Sequence, residues 1–318
     1  MKQEQDTTMK YLLSRIPSEH LRRRITRQMV RAAARYGRKN GNENFELISF
    51  LTMQIFKFTG LYERGYHEFK NIQVTHNQFE IKNLPEAFRG FRILHLSDLH
   101  LDIDPVLTDV IIDRLQGLEY DLCVFTGDYR WRTYGSTVID GISKIRPHIK
   151  SEHGIYAILG NHDYIEMVPF LEKRDIRVLV NESVVIKNGG PGTIGLAGVD
   201  DPHYYKAYDL SRAVQHIEEQ NVKILLAHTP DLYAQAEQHG FHIYLTGHTH
   251  GGQICLPGGR PVFLNANCPR NFTSGAWQFG NLQGYTSRGT GASGVPLRLN
   301  CPPEMTIHHL IPAVEDFR

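Results

Sequence analysis

Cysteine is scarce and scattered: Cys123, Cys255, Cys268 and Cys301 lie far apart, and none belongs to a Cys-x-x-Cys pair. This excludes a disulfide framework and a zinc ribbon and fits a reducing compartment. Long hydrophobic runs are missing as well. The apolar segment at residues 45–65 is interrupted by Lys57 and has an uncharged core of only ten residues, 47–56, about half of the ~20 that a bilayer crossing needs. The N-terminus "MKQEQDTTMK" has no apolar stretch followed by a small-residue cleavage site, so no signal peptide is read there. The Arg22-Arg23-Arg24 triplet precedes "ITRQMVRAAARYGRK" rather than an apolar run, which excludes a twin-arginine signal. There is no internal repeat.

An excess of one charge sign is absent overall, since the net charge is +1, but the balance is local. Residues 9–40 hold ten Lys/Arg (Lys10, Arg15, Arg22, Arg23, Arg24, Arg27, Arg31, Arg35, Arg38 and Lys39) against Glu19 alone, a net +9 that leaves −8 for the remainder. Such an arm seeks an anionic partner. Apolar residues recur at Leu21, Ile25, Met29, Ala32, Ala33 and Tyr36, the spacing of an amphipathic helix whose polar face is cationic. With 318 residues and 41% hydrophobic content, the rest is long enough for a large folded domain.

After Gly90 the pattern becomes short apolar runs alternating with amphipathic stretches: "FRILHLSDLH", "DLCVFTGD", "GIYAILGNHD", "IRVLV", "GTIGLAGVD", "VKILLAHTP" and "FHIYLTGHTH". Residues 106–118, 164–173 and 210–220 read as intervening helices, which gives an α/β arrangement with buried strands. From Gln253 onward, Gly, Pro and Asn mark loops between short strands. The division expected is a helical extension at 1–65, a linker and edge segment at 66–90, and a catalytic domain at 91–318.

In open α/β sheets, ligands gather beyond the carboxyl ends of strands. Five of these runs end in groups of metal-ligand type: Asp98 and His100, Asp128, Asn161 with His162 and Asp163, His228, and His248 with His250. Residues i and i+2 of an extended segment project to one side, so Asp98 can converge with His100 and His248 with His250. Glycines before Asp128, Asn161 and His248 allow sharp turns and close backbone approach. With His162 and Asp163 left over, the remaining seven side chains exceed one tetrahedral site and suit two metals sharing a bridging carboxylate. The other histidines, among them His95, His203 and His308, fall outside the pattern and read as ordinary core or surface residues.

The ordered series Asp98-Leu-His100, Gly127-Asp128, Gly160-Asn161-His162-Asp163, His228 and Gly247-His248-Thr-His250 resembles the calcineurin-like metallophosphoesterases. The resemblance implies a four-layer αββα sandwich with a dinuclear metal centre between the sheets; the basic helical extension read from the residues precedes it. It implies that Asp98, His100 and His250 hold one metal, that Asn161, His228 and His248 hold the other, and that Asp128 bridges them. His162 would face the scissile phosphate with Asp163 orienting its ring. The tail at residues 287–310 and "GHTHGGQICLPG" resemble the bacterial membrane-associated branch that includes UDP-2,3-diacylglucosamine pyrophosphatases of lipid A synthesis. In "GDYRWRTYG", where that family often continues with an acidic residue, Arg130 and Arg132 are candidate substrate contacts.

Two divalent ions, two aspartates and a bridging hydroxide sum to +1, which favours an anionic phosphate. Coordination lowers the pKa of water from ~15.7 toward 7, so hydroxide is available at neutral pH. The N/O donor set without thiolate points to Mn, Fe or Zn. The function expected is a phosphodiesterase or pyrophosphatase acting on a lipid-linked or UDP-sugar-linked diphosphate, peripheral on the cytoplasmic membrane face, with the arm touching anionic lipid. A soluble nuclease or general phosphatase is the alternative, weakened because few aromatics are placed for base stacking. A scaffold that kept the fold and lost its metals is opposed by the complete ligand set. The sequence carries no signal for an oligomeric state.

Overall fold

A computed structural model describes residues 2–37, 41–132, 136–219 and 221–313; Arg38, Lys39 and Gln220 lie outside them. In chain order the strands are β1 (Gln73–Ile81), β2 (Arg92–Leu96), β3 (Leu122–Phe125), β4 (Ile155–Ala157), β5 (Arg177–Val178), β6 (Glu182–Ile186), β7 (Ile194–Gly198), β8 (Val222–Leu226), β9 (Ile243–Thr246), β10 (Cys255–Leu256), β11 (Arg260–Pro261), β12 (Gly275–Phe279), β13 (Leu282–Thr286) and β14 (Glu304–Pro312). The helices are α1 (Lys2–Arg15), α2 (Ser18–Gly37), α3 (Gly41–Phe58), α4 (Tyr62–Lys70), α5 (Val106–Leu115), α6 (Ser136–Ile145), α7 (Met167–Glu172), α8 (Leu210–Val214) and α9 (Tyr233–Gln238).

One six-stranded sheet has the order β1-β14-β2-β3-β4-β5 and the other β12-β13-β9-β8-β7-β6, while β10 and β11 form a small hairpin. The central strands β2 to β5 and β7 to β9 run parallel, which requires crossovers and explains why their sequences are apolar on both faces. Ile93, Leu122 and Val124 of the first sheet share a core with Leu196, Ile224 and Leu245 of the second. On its outer side the first sheet packs Leu94, Cys123 and Phe125 against α5, α6 and α7. The second packs Ala197, Leu225 and Tyr244 against α8 and α9. Two sheets therefore face each other with helices outside, the layering expected. The segment expected as linker and edge supplies β1, which pairs with β14 from Gln73↔Glu304 to Ile81↔Pro312.

The N-terminal extension departs from its expected form. Leu12, Ile16 and Leu21 belong to the same core as Leu94 and Leu96, so α1 and α2 are packed on the catalytic body. On α2 the buried side is largely polar, with Arg24, Gln28 and Arg31 buried, while Met29 of the expected apolar face is 66% exposed. The reason lies in what α2 meets: loops at strand ends present carboxylates and carbonyls, which buried arginines satisfy and aliphatic groups cannot. The cationic arm thus spends Arg15 on Glu172 and Glu182 and Arg24 on Asp200, while Lys10, Arg22 and Arg23 remain exposed.

Candidate metal centre

The site lies beyond the carboxyl ends of β2, β3, β8 and β9 and the loop after β4, where parallel neighbours bring the chain ends together. Asp98, His100, Asp128, His248 and His250 all adopt left-handed backbone, with φ of 52°, 42°, 58°, 72° and 51°. This corrects the extended i, i+2 geometry expected for Asp98/His100 and His248/His250. Tight turns aim these side chains instead. Left-handed residues other than glycine cost roughly 1–3 kcal/mol each and cluster where function holds them. Gly160 and Gly247 make the crowding tolerable. A Cβ on Gly160 would overlap Oδ1 of Asp128, and one on Gly247 would overlap Oγ of Ser97 and Oδ2 of Asp98.

The side chains gather into two groups, Asp98 with His100 and His250, and Asp128 with His228 and His248, the ligand atoms of each group lying within 4.8 Å of one another. Nε2 of His100 and of His250 are 3.2 Å apart. Oδ1 of Asn161 lies 3.0 Å from Nε2 of His228, adding an amide oxygen to the second group. Oδ2 of Asp128 is 3.2 Å from Nε2 of His228 and 3.7 Å from Nε2 of His100, so it faces both groups. Nδ1 of His100 donates to the Arg130 carbonyl at 2.9 Å and Nδ1 of His228 to that of Thr126 at 2.6 Å, leaving both Nε2 atoms turned inward.

Charge shows the same design. Burial raises the Asp98 carboxyl against the pull of His228, while Asp128, despite burial, is held well below the usual carboxylate range by His228, His162 and His100. Burial opposes a proton on His228, yet Asp128 and Asp98 bring it up to about 10. His248 is pushed down to about 3 by burial, then by His228 and His203, and its Nε2 is buried without a hydrogen-bond partner among the described residues. Two buried carboxylates, an orphaned imidazole nitrogen and inward Nε2 atoms fit divalent cations.

Around Asp98 runs a buried chain of side chains that was not foreseen. His308 Nε2 meets His95 Nδ1 at 3.2 Å, His95 Nε2 meets Thr126 Oγ1 at 2.8 Å, Thr126 donates to Ser97 at 2.7 Å, and Ser97 donates to Asp98 Oδ2 at 2.6 Å. His95 and His308 thus support the Asp98 carboxylate at a distance. Also missed were Asp200, Asp201 and His203, in the loop after β7. The His203 ring lies 4.4 Å from that of His248 and its Nδ1 3.3 Å from Asp231. The run "GTIGLAGVD" carried the same strand-end signal as the five chosen, and applying it there finds these residues.

Asp163 does not take the part expected of it. Its carboxylate accepts from the amides of Asp128 at 2.7 Å, Tyr129 at 3.1 Å and Gly160 at 2.8 Å, tying two ligand loops together. The His162 ring is oriented by the Trp131 carbonyl, 2.8 Å from Nδ1. Burial holds that imidazole well below its usual pKa, so the neutral ring offers Nε2 as an acceptor and donates there only after gaining a proton. Arg130 is buried in the wall of the site, with its guanidinium 3.8 Å from the Tyr164 ring and Nη1 bonded to the Arg132 carbonyl. Arg132 is exposed at the rim, its amide bonded to Asp102.

The model of the calcineurin-like phosphoesterases matches residues 91–252, which contain every one of these ligands. The chain is 27% identical to the uncharacterized metallophosphoesterase YkoQ of Bacillus subtilis over 82% of its own length and 98% of that protein. An uncharacterized metallophosphoesterase of Helicobacter pylori is 28% identical over 86% of this chain and 73% of its own. The transmembrane protein with metallophosphoesterase domain from Bos taurus is 30% identical over 73% of this chain and 56% of its own. With half of its length matched and the ligand series gathered between two helix-backed sheets, the chain belongs to the calcineurin-like phosphoesterases and is a phosphoester hydrolase.

Proposed function

We propose that this hydrolase works with two divalent ions, on a phosphodiester or diphosphate presented at a membrane surface. The observation that carries the reading is the pair of ligand groups meeting at Asp128 Oδ2. Asp98, His100 and His250 would hold one ion and Asn161, His228 and His248 the other, with Asp128 facing both groups. When bound, such ions polarise phosphoryl oxygens and lower the pKa of water toward 7. The half-buried His162, fixed by Trp131, exchanges a proton at Nε2 with the substrate's oxygens. Asp163 and the Asp98 relay keep the ligand loops in register.

Membrane contact is supported by α3. Leu47, Ile48, Phe50, Leu51 and Ile55 are each between 47% and 59% exposed and Phe58 is 93% exposed, while Phe56 anchors the helix on Val295 and Leu297. Exposed Leu256, Val262 and Phe263 sit on the neighbouring hairpin segment, which reaches the same cluster through Ile254. Apolar surface of this extent calls for a cover. Among the described residues no helix is long and apolar enough to cross a membrane. We propose a peripheral contact on the cytoplasmic face. A lipid-linked or UDP-sugar-linked diphosphate such as UDP-2,3-diacylglucosamine meets both conditions. A panel with added Mn, containing an aryl monoester, an aryl diester, oligonucleotides and UDP-2,3-diacylglucosamine, tests this with Asp128→Asn as the blank. Turnover of the lipid-linked diphosphate well above the oligonucleotides supports the reading. The reverse order favours the nuclease alternative.

A further inference from the structure

The face of α2 that meets the catalytic body carries His20, Arg24, Gln28 and Arg31 at helical spacing. Three of the four have partners that account for their burial. His20 and Arg24 both bond Asp200, Arg24 also donates to the Asp163 carbonyl at 2.9 Å, and Gln28 bonds the Ile165 amide and the Glu166 carboxylate. Arg31 is 8% exposed and pairs with no carboxylate among the described residues. What holds it is aromatic: its guanidinium is 4.0 Å from the Tyr204 ring and 5.5 Å from the Tyr205 ring, with the Tyr205 hydroxyl at 3.4 Å.

A guanidinium taken out of water without an anion is costly, and its planar fork matches the oxygens of a phosphate. Its position shows which anion can reach it. Tyr204 and Tyr205 follow His203, whose ring lies 4.4 Å from that of His248, and Tyr205 also carries Arg24 at 3.3 Å from its ring. Arg24 in turn holds the carbonyl of the residue next to His162. Arg31 therefore stands on the wall shared by the His162 loop and the His203 loop.

We propose that Arg31, brought by α2 to the rim of the metal centre, binds an anionic group of the substrate next to the phosphate under attack, so that the site selects substrates with two adjacent anionic groups, as in a diphosphate. This rests on the phosphoester-hydrolase reading above and narrows its substrate class. The extension then completes the active site as well as packing on it.

The probes are inorganic pyrophosphate and orthophosphate, titrated calorimetrically into the Mn-loaded full chain as wild type, Arg31→Lys and Arg31→Met. A lost charge-assisted pair predicts that Arg31→Met weakens pyrophosphate about tenfold or more and orthophosphate less than about twofold, at unchanged metal content. Arg31→Lys, which keeps the charge and loses the fork, falls between them and carries the comparison should the Met variant melt early. Equal weakening of both anions, no weakening of pyrophosphate, or a wild type that prefers orthophosphate overturns the proposal. In turnover, the loss appears in KM for a UDP-sugar and not for a bis-aryl phosphodiester, with kcat little changed. A wild type that cleaves neither compound defeats the functional reading, while the pyrophosphate titration still decides the role of Arg31.

Discussion

Asp128 is the carboxylate that faces both groups, its Oδ2 turned to His100 on one side and His228 on the other while Oδ1 accepts the His162 amide at 2.8 Å. Asp128→Asn should remove most activity and lower the metal content of both positions, measured by elemental analysis. His162→Ala should retain metal and lose turnover by about 10²- to 10⁴-fold, the range of a proton-transfer group. Equal metal loss in both variants contradicts this division. Gly160→Ala should behave like Asp128→Asn in metal content, since its Cβ takes the space of Asp128 Oδ1. At this scale the side chains that gather into the two groups were legible because each closes a short apolar run. Their support was not, since Ser97, Thr126, His95 and His308 become one relay only when β2, β3 and β14 lie side by side.

The element whose reading changed most is α2. Its helical period was visible, but which face turns inward depends on the carboxylates and carbonyls of loops far away in sequence. Arg24 and Asp200 are both fully buried, so Arg24→Ala leaves a bare carboxylate and should cost about 3–5 kcal/mol in unfolding free energy. The pH dependence has a definite sign. Burial alone would raise the Asp200 carboxyl, but Arg24 and His20 hold it below its ordinary value. A lowered folded-state pKa stabilises fully above the unfolded value near 3.9 and is lost as pH falls through the folded one. Asp200→Asn should therefore destabilise the protein most at neutral pH, with the gap to wild type closing below about pH 4 in denaturant titrations. A gap that widens on acidification would contradict the pairing. The left-handed turns at Asp98 and His248 were equally hidden, because nothing in the residue types shows backbone direction.

For the whole molecule, the two facing sheets and their helices were legible from the alternation of apolar runs with amphipathic stretches. The place of the extension was not. Removing residues 1–65 would take Leu12, Ile16 and Leu21 out of the core, so membrane contact is better tested by substitution than by truncation. Flotation with anionic vesicles should lose the protein when Leu47, Ile48, Phe50 and Leu51 are changed to Ser, with melting temperature nearly unchanged because these side chains are exposed. Loss of vesicle binding on removing only Arg22 and Arg23 would instead make the contact electrostatic. All of this depends on a centre that holds two ions. The most direct measurement is a titration of metal-free protein with Mn, following bound metal and aryl-phosphodiester turnover together. Two ions per chain, with turnover rising only as the second binds, is the result expected. Saturation at one ion, or full turnover with one, would contradict the account.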